Sequence, residues 1–109
     1  MQVVTEKIIR KYVTPNGEEP FSNWLGSLHD EVRYRVKERL WRVMLGNLGD
    51  YKFVGEGVFE LRLNFGAGYR IYFENHGNTV VLLLCGGDKS TQRKDIARAI
   101  VYWKKYLSR

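Results

Sequence analysis

At 109 residues, 44% of them apolar, the chain is sized for one hydrophobic core, and a single domain over 1–109 is expected. Its one cysteine, Cys85, excludes an internal disulfide and, at the end of an apolar run, reads as a buried structural thiol of a protein from a reducing compartment. Eighteen Lys and Arg against twelve Asp and Glu give a formal charge of +6, which favours an acidic partner (RNA, DNA or an acidic protein) without choosing among them.

Met1 to Arg10 lacks the continuous apolar core of a signal peptide, and the longest apolar run, Val80 to Cys85, is too short to span a bilayer. The expectation is a cytoplasmic protein. Gln2 to Val13 is rich in Val, Ile, Thr and Tyr and predicts a strand, with alternation too poor to say which face is buried. Pro15-Asn16-Gly17 marks a turn. Pro20 then opens a short helix as its first residue, with Phe21, Trp24, Leu25 and Leu28 on one face. His29 and Asp30 mark a break, and Asp30 caps a longer helix reaching about Leu45. Val32, Val36, Leu40 and Val43 form one apolar stripe of that helix. Tyr34, Trp41 and Leu45 form another, so contact with more than one neighbour is expected. Arg33, Arg35, Lys37, Arg39 and Arg42 cover the rest, most simply as a solvated face.

Gly46 to Asp50 closes this helical pair, and Tyr51 to Val54 is a short strand or a strand-like lead-in before a flexible Gly55-Glu56-Gly57. A block of three strands follows from Phe59 to Lys89. Phe59, Leu61, Leu63 and Phe65 alternate with Glu60, Arg62 and Asn64, and Tyr69, Ile71 and Phe73 alternate with Arg70, Tyr72 and Glu74. A period of two sends one set to the core and the other to the opposite face. The turns Gly66-Ala67-Gly68 and Asn75-His76-Gly77-Asn78 tolerate positive φ. Val80 to Leu84 is apolar on both faces, as a central strand is. Gly86-Gly87-Asp88-Lys89 leaves that strand, Ser90 or Thr91 caps a last helix, and Ile96, Ile100, Trp103 and Leu107 make its apolar stripe beside Ala99 and Tyr106. The predicted order is β–α–α–β–β–β–α, an α+β domain with a small, mainly antiparallel sheet flanked by helices.

His29, His76 and Cys85 show no metal-ligand spacing, and Gly66-Ala67-Gly68 lacks the lysine and context of a nucleotide-binding loop. The basic sheet face is more informative. Cleaving RNA without a metal or other cofactor needs a base for the 2′-hydroxyl, cations for the phosphorane oxygens and an acid for the leaving 5′-oxygen. Arg62 and Arg70 suit a phosphate in shape and charge, and Lys89 leaves the last strand toward a helix N-terminus, where an anion is favoured. Glu60 is a candidate base, given a suitably placed pKa. Asp95 is a candidate proton carrier and, more simply, a favourable charge in a first helical turn. Tyr72, Lys52, Gln92 and Arg93 are candidate RNA contacts, Tyr72 by stacking or proton donation. The alternative for the arginines is cross-strand ion pairing with Glu60 and Glu74.

Glu60-Leu61-Arg62, Gly68-Tyr69-Arg70-Ile71-Tyr72 and Leu84-Cys85-Gly86-Gly87-Asp88-Lys89-Ser90 together resemble the RelE/ParE superfamily of toxins from toxin–antitoxin modules, most closely the HigB-like branch of addiction module killer proteins. The C-terminal half carries the resemblance; the N-terminal half follows by element order. It implies a curved, mainly antiparallel sheet with flanking helices and a metal-free endoribonuclease that cuts messenger RNA, commonly on the ribosome, and stops translation. It also implies phosphate-binding roles for Arg70, for Arg62 approximately and for Lys89, and as partner an antitoxin, here a helix-turn-helix DNA-binding protein encoded next door. Some relatives carry a proton-transferring tyrosine early in the last helix; here the nearest residue is Asp95, with Gln92 before it. A ParE-like poison of DNA gyrase and a non-enzymatic RNA-binding module are the alternatives.

Overall fold

A computed structural model describes residues 6–77 and 80–109. Along the chain it forms β1 (Ile8–Lys11), α1 (Pro20–Gly26), α2 (Asp30–Met44), β2 (Tyr51–Gly55), β3 (Val58–Leu63), β4 (Tyr69–His76), β5 (Val80–Gly87), a single 3-10 turn (Lys89–Thr91) and α3 (Gln92–Leu107). The strands make one sheet in the order β1-β5-β4-β3-β2. Only β1 and β5 run parallel; the other three pairings are antiparallel. The fold is α+β and mainly antiparallel, as the sequence predicts.

The predicted order is one strand short. Residues 51–55 form a full edge strand, paired to β3 through Tyr51↔Leu61, Lys52↔Glu60 and Phe53↔Phe59. Its first three residues are all exposed, so it lacks the in–out contrast by which a strand is read. The Gly55-Glu56-Gly57 segment is the tight turn that closes this hairpin, with positive φ at all three residues. The described part of β1 starts at Ile8; Gln2 to Thr5 of the predicted first strand, and Asn78 of the second predicted turn, lie outside the described residues.

Alternation builds two cores, one on each face of the sheet. Leu61, Leu63, Ile71, Phe73, Val81 and Leu83 pack under α1 and α2, against Phe21, Val36 and Val43. Val58, Tyr72, Leu82, Leu84 and Cys85 pack under α3, against Ala99 and Trp103. Burying both faces explains why β5 reads as a continuous apolar run. It also means that the polar face of β3 and β4 is covered: α3 lies across it.

Several boundaries differ from expectation. β5 continues through Cys85, Gly86 and Gly87 instead of ending at Leu84. Asp30 is the first helical residue of α2, with His29 at the N-cap. Asp88, rather than Ser90 or Thr91, supplies the side-chain cap beyond β5: its Oδ1 accepts from the Ser90 N–H at 2.8 Å. Thr91 occupies the N-cap of α3 without a side-chain cap bond. The stripe Val32, Val36, Leu40, Val43 faces the core, whereas Tyr34, Trp41 and Leu45 face outward, as does Leu107 at the end of α3.

Candidate functional site

Register puts the polar residues of β3 and β4 together. Glu60 lies opposite Tyr72 and Arg62 opposite Arg70, so all four side chains share the α3 side of the sheet. Lys52 continues the Glu60–Tyr72 row onto the edge strand, and Gly87 ends the Arg62–Arg70 row on β5. Gly87 sits where a side chain has no room. A Cβ built there would come within 1.8 Å of Asp95 Oδ2, so the glycine lets the first turn of α3 settle onto the strand.

Glu60 is the hub. It is fully buried, and four groups converge on its carboxylate. Arg62 Nε donates to Oε1 at 3.0 Å, Gln92 Nε2 donates to Oε2 at 2.8 Å and Tyr72 Oη donates to Oε2 at 3.1 Å. Arg70 Nε stands 3.7 Å from Oε2. Burial alone would raise the carboxyl pKa, but the hydrogen bonds from Gln92, Arg62 and Tyr72 and the charge of Arg70 together hold it below the usual carboxylate range. A fully enclosed carboxylate stabilised in its charged form is a poor base for an exposed 2′-hydroxyl. Glu60 orients the cations instead.

Tyr72 is likewise enclosed and cannot stack on a nucleobase. Burial, with Glu60 next, pushes its hydroxyl well above the usual phenol value, so it does not supply a proton near neutrality. Asp95 is also buried. Thr91 Oγ1 donates to its Oδ2 at 2.5 Å, and Arg98 Nη2 approaches its Oδ1 at 3.3 Å. Thr91, expected as a cap of the last helix, instead bonds Asp95, and Arg98 is a contact that no sequence pattern marks; the signal for this locked turn is the Gly86-Gly87 pair, a strand end bare enough for a helix to sit on.

The cations behave differently. Both arginines face Glu60 through Nε, Arg62 in a hydrogen bond and Arg70 at 3.7 Å, too long for one, and among the described residues their outer Nη groups make no hydrogen bond. Ion pairing with Glu60 is thus present, from Arg62 within β3 and from Arg70 across the strands, and among the described residues neither arginine pairs with Glu74. Arg62 keeps 30% of its side chain exposed and Arg70 only 11%, so Arg62 is the more accessible of the two. Lys89 is exposed, and its N–H donates to Ala67 O at 3.3 Å. A Cβ on Gly68, whose φ is 73°, would lie 3.3 Å from Lys89 Cβ and 4.0 Å from Arg70 Nη1. The β3–β4 turn therefore packs Lys89 beside the tip of Arg70. Exposed Lys52 on the edge strand and exposed Arg93 on the first turn of α3 add charge at the margins. The helical N-terminus beyond β5 is already filled by Asp88, so the anion-binding duty expected there falls to side chains. Among the described residues, no three His, Cys, Asp or Glu side chains gather as metal ligands do.

This arrangement can grip an anionic, tetrahedral or trigonal-bipyramidal group at its rim, with orientation set from beneath by an invisible carboxylate. No family model matches the chain. Over 80 residues, 72% of this chain and 81% of the relative, it is 48% identical to a protein of Haemophilus influenzae whose name, "Uncharacterized protein", states no activity.

Proposed function

The chain belongs to the family of that Haemophilus influenzae protein, and from its site we propose that it is the toxin of a toxin–antitoxin module: a metal-free, ribosome-associated endoribonuclease of the RelE/ParE type that acts in the cytoplasm. The observation that carries this reading is the convergence of Arg62, Arg70 and Lys89 at the rim above Glu60, with the guanidinium tips unoccupied. In the reaction, the 2′-oxygen attacks the adjacent phosphorus, the bond to the 5′-oxygen breaks, and a 2′,3′-cyclic phosphate and a 5′-hydroxyl result. Arg62, Arg70 and Lys89 stabilise the charge that accumulates on the phosphorane oxygens, where preorganised donors act most strongly. Glu60 and Gln92 hold that constellation without touching the RNA. With Glu60 and Asp95 enclosed, the proton of the 2′-hydroxyl passes to a phosphate oxygen or to water, and the 5′-oxygen takes one from the same pool.

The partner in this reading is an acidic antitoxin with a helix-turn-helix domain. The outward side chains of Tyr34 and Trp41 on α2 and Leu45 at its C-cap, interleaved with Lys37 and Glu38, support a protein partner, because several large apolar groups exposed along one helix side suit a second surface.

Arg70→Ala tests the nuclease. Expressed without a partner, the wild-type chain should arrest growth and cut transcripts. The variant should keep ribosome binding and lose cleavage by about 10²–10³-fold, the usual cost of one transition-state donor. Intact transcripts with broken DNA in the wild type would instead indicate a gyrase poison, and neither effect would indicate a plain RNA binder.

A further inference from the structure

On the α2 side of the sheet, away from the Glu60 hub, a cleft of about 250 Å³ is lined by Arg35, Glu38, Arg39, Arg42, Asn64 and Phe65, over Leu63. Its three arginines are organised rather than splayed. Arg39 is fixed as a clamp: Nη1 donates to Arg62 O at 2.6 Å, and Nη2 donates to Leu48 O at 3.0 Å and to Asp50 O at 2.9 Å. The Arg35 guanidinium carbon lies over the Phe65 ring, 4.5 Å from its centroid, a cation–π contact that holds the side chain at the cleft. Arg42 stands close enough to Arg39 that its charge, after burial, helps depress the Arg39 pKa. Glu38 is the one carboxylate in the lining, and it forms no ion pair with any of the three among the described residues. Arg35 and Arg42 likewise have no carboxylate partner there.

Three arginines gathered in a concavity with one carboxylate, Glu38, in the lining and Asp50 near Arg39 keep a net positive charge, and an anion relieves the repulsion that remains. The cleft is tied to the rim described above through β3 and the β3–β4 turn. Arg39 grips the backbone carbonyl of Arg62, and Phe65 begins the turn whose other end, Gly68, touches Lys89 and adjoins Arg70. We propose that Arg35 and Arg42, held by Phe65 and beside the Arg39 clamp, form a second phosphodiester subsite that binds the RNA strand beyond the scissile position. The identity of the ligand rests on the ribonuclease reading; the anion site rests on the cleft alone.

The test is the salt dependence of binding to a 2′-O-methylated RNA 12-mer, which cannot be cleaved by attack of the 2′-oxygen. Each phosphate neutralised on a single strand contributes about 0.7 to the slope of log K against log salt. Arg35→Ala/Arg42→Ala should lower that slope by about 1.4 and weaken binding on the order of tenfold at low salt. A charge-matched control away from the cleft, Lys37→Ala/Lys105→Ala, should leave the slope near wild type. Arg35→Lys/Arg42→Lys should restore the slope, which separates charge from any loss of fold. At saturating protein, single-turnover cleavage of ordinary RNA by the alanine pair should match wild type. A slope no lower in the alanine pair than in the control overturns the subsite, and so does an unchanged RNA slope accompanied by lost affinity for an acidic partner protein. Were the wild type to cut no RNA with ribosomes present while the slope still fell, the nuclease reading would fail and the subsite would stand.

Discussion

Glu60 and Glu74 stand on the same face of the sheet and titrate in opposite directions. Burial raises both, but Glu60 is drawn below the usual carboxylate range by Gln92, Arg62, Tyr72 and Arg70, whereas Glu74 is opposed only by the Asn75 backbone and His76 and stays above it. Glu74 Oε2 is buried without a hydrogen-bond partner. The signs follow by linkage. Ionised Glu60 contributes stability that is complete above its unfolded pKa and is lost as the pH falls through its lower folded value. Glu74 contributes in the other sense: its stabilisation is complete below the unfolded pKa and is lost as the pH rises through its higher folded value. Glu60→Gln should therefore cost about 2–3 kcal/mol at pH 7, since it strips the charge from a buried hub and leaves Arg70 unbalanced. Glu74→Gln should be neutral or stabilising by up to about 1 kcal/mol at pH 7. Denaturant unfolding at pH 7 and again near pH 3 checks both, because each difference should shrink in acid; equal losses for the two variants would refute the assignment. Alternation in the sequence placed these side chains on one face correctly. It does not show that α3 covers that face, so Tyr72 stands in the sequence as a candidate RNA contact, whereas in the fold it is a core phenol bonded to Glu60.

At the scale of elements, the end of β5 decides how the site is held. A strand ending in Gly-Gly looks like a strand giving way to a loop, because glycine weakens sheets. Here the glycines are the reason both helices can close in. A Cβ on Gly86 would meet the Trp24 ring of α1 at 2.2 Å, and one on Gly87 would meet the Asp95 carboxylate of α3 at 1.8 Å. Each contact lies on its own side of the sheet, which separates two effects. Gly86→Ala and Gly87→Ala should both destabilise by about 2–3 kcal/mol through overpacking. Only Gly87→Ala should also cut cleavage by the folded protein, by roughly tenfold, because lifting the first turn of α3 draws Gln92 off Glu60 and a methyl group enters the Arg62–Arg70 row. Thermal melts read the first effect and single-turnover rates at saturating enzyme the second. Equal loss of activity in both variants would argue that stability alone is being measured. Such a close approach is a property of packing between distant segments, which a reading of local period does not contain.

The whole molecule presents two kinds of surface, and the second stripe of α2 separates them. Its 3.6-residue period is legible in the sequence, and a helix apolar on two sides is expected to contact more than one neighbour. Among the described residues α1 and α2 share one face of the sheet and α3 takes the other, and Tyr34 stands 68% and Trp41 60% exposed. Sequence alone cannot tell an intramolecular neighbour from one supplied by another chain, because the same apolar pattern serves both. With a charge of +6 on each copy, self-association through this face is opposed electrostatically, while an acidic amphipathic segment is attracted. Trp41→Glu should therefore leave the melting temperature within about 2 °C of wild type, since an exposed position carries little folding energy. It should leave RNA cleavage unchanged. It should also weaken the complex with the cognate antitoxin by about 10²-fold or more, as loss of a central aromatic anchor does, and the gain should appear mainly as faster dissociation. Surface plasmon resonance on the purified pair measures this directly. An unchanged dissociation rate would move the partner off α2 and leave the stripe without a function, whatever the nuclease assay shows.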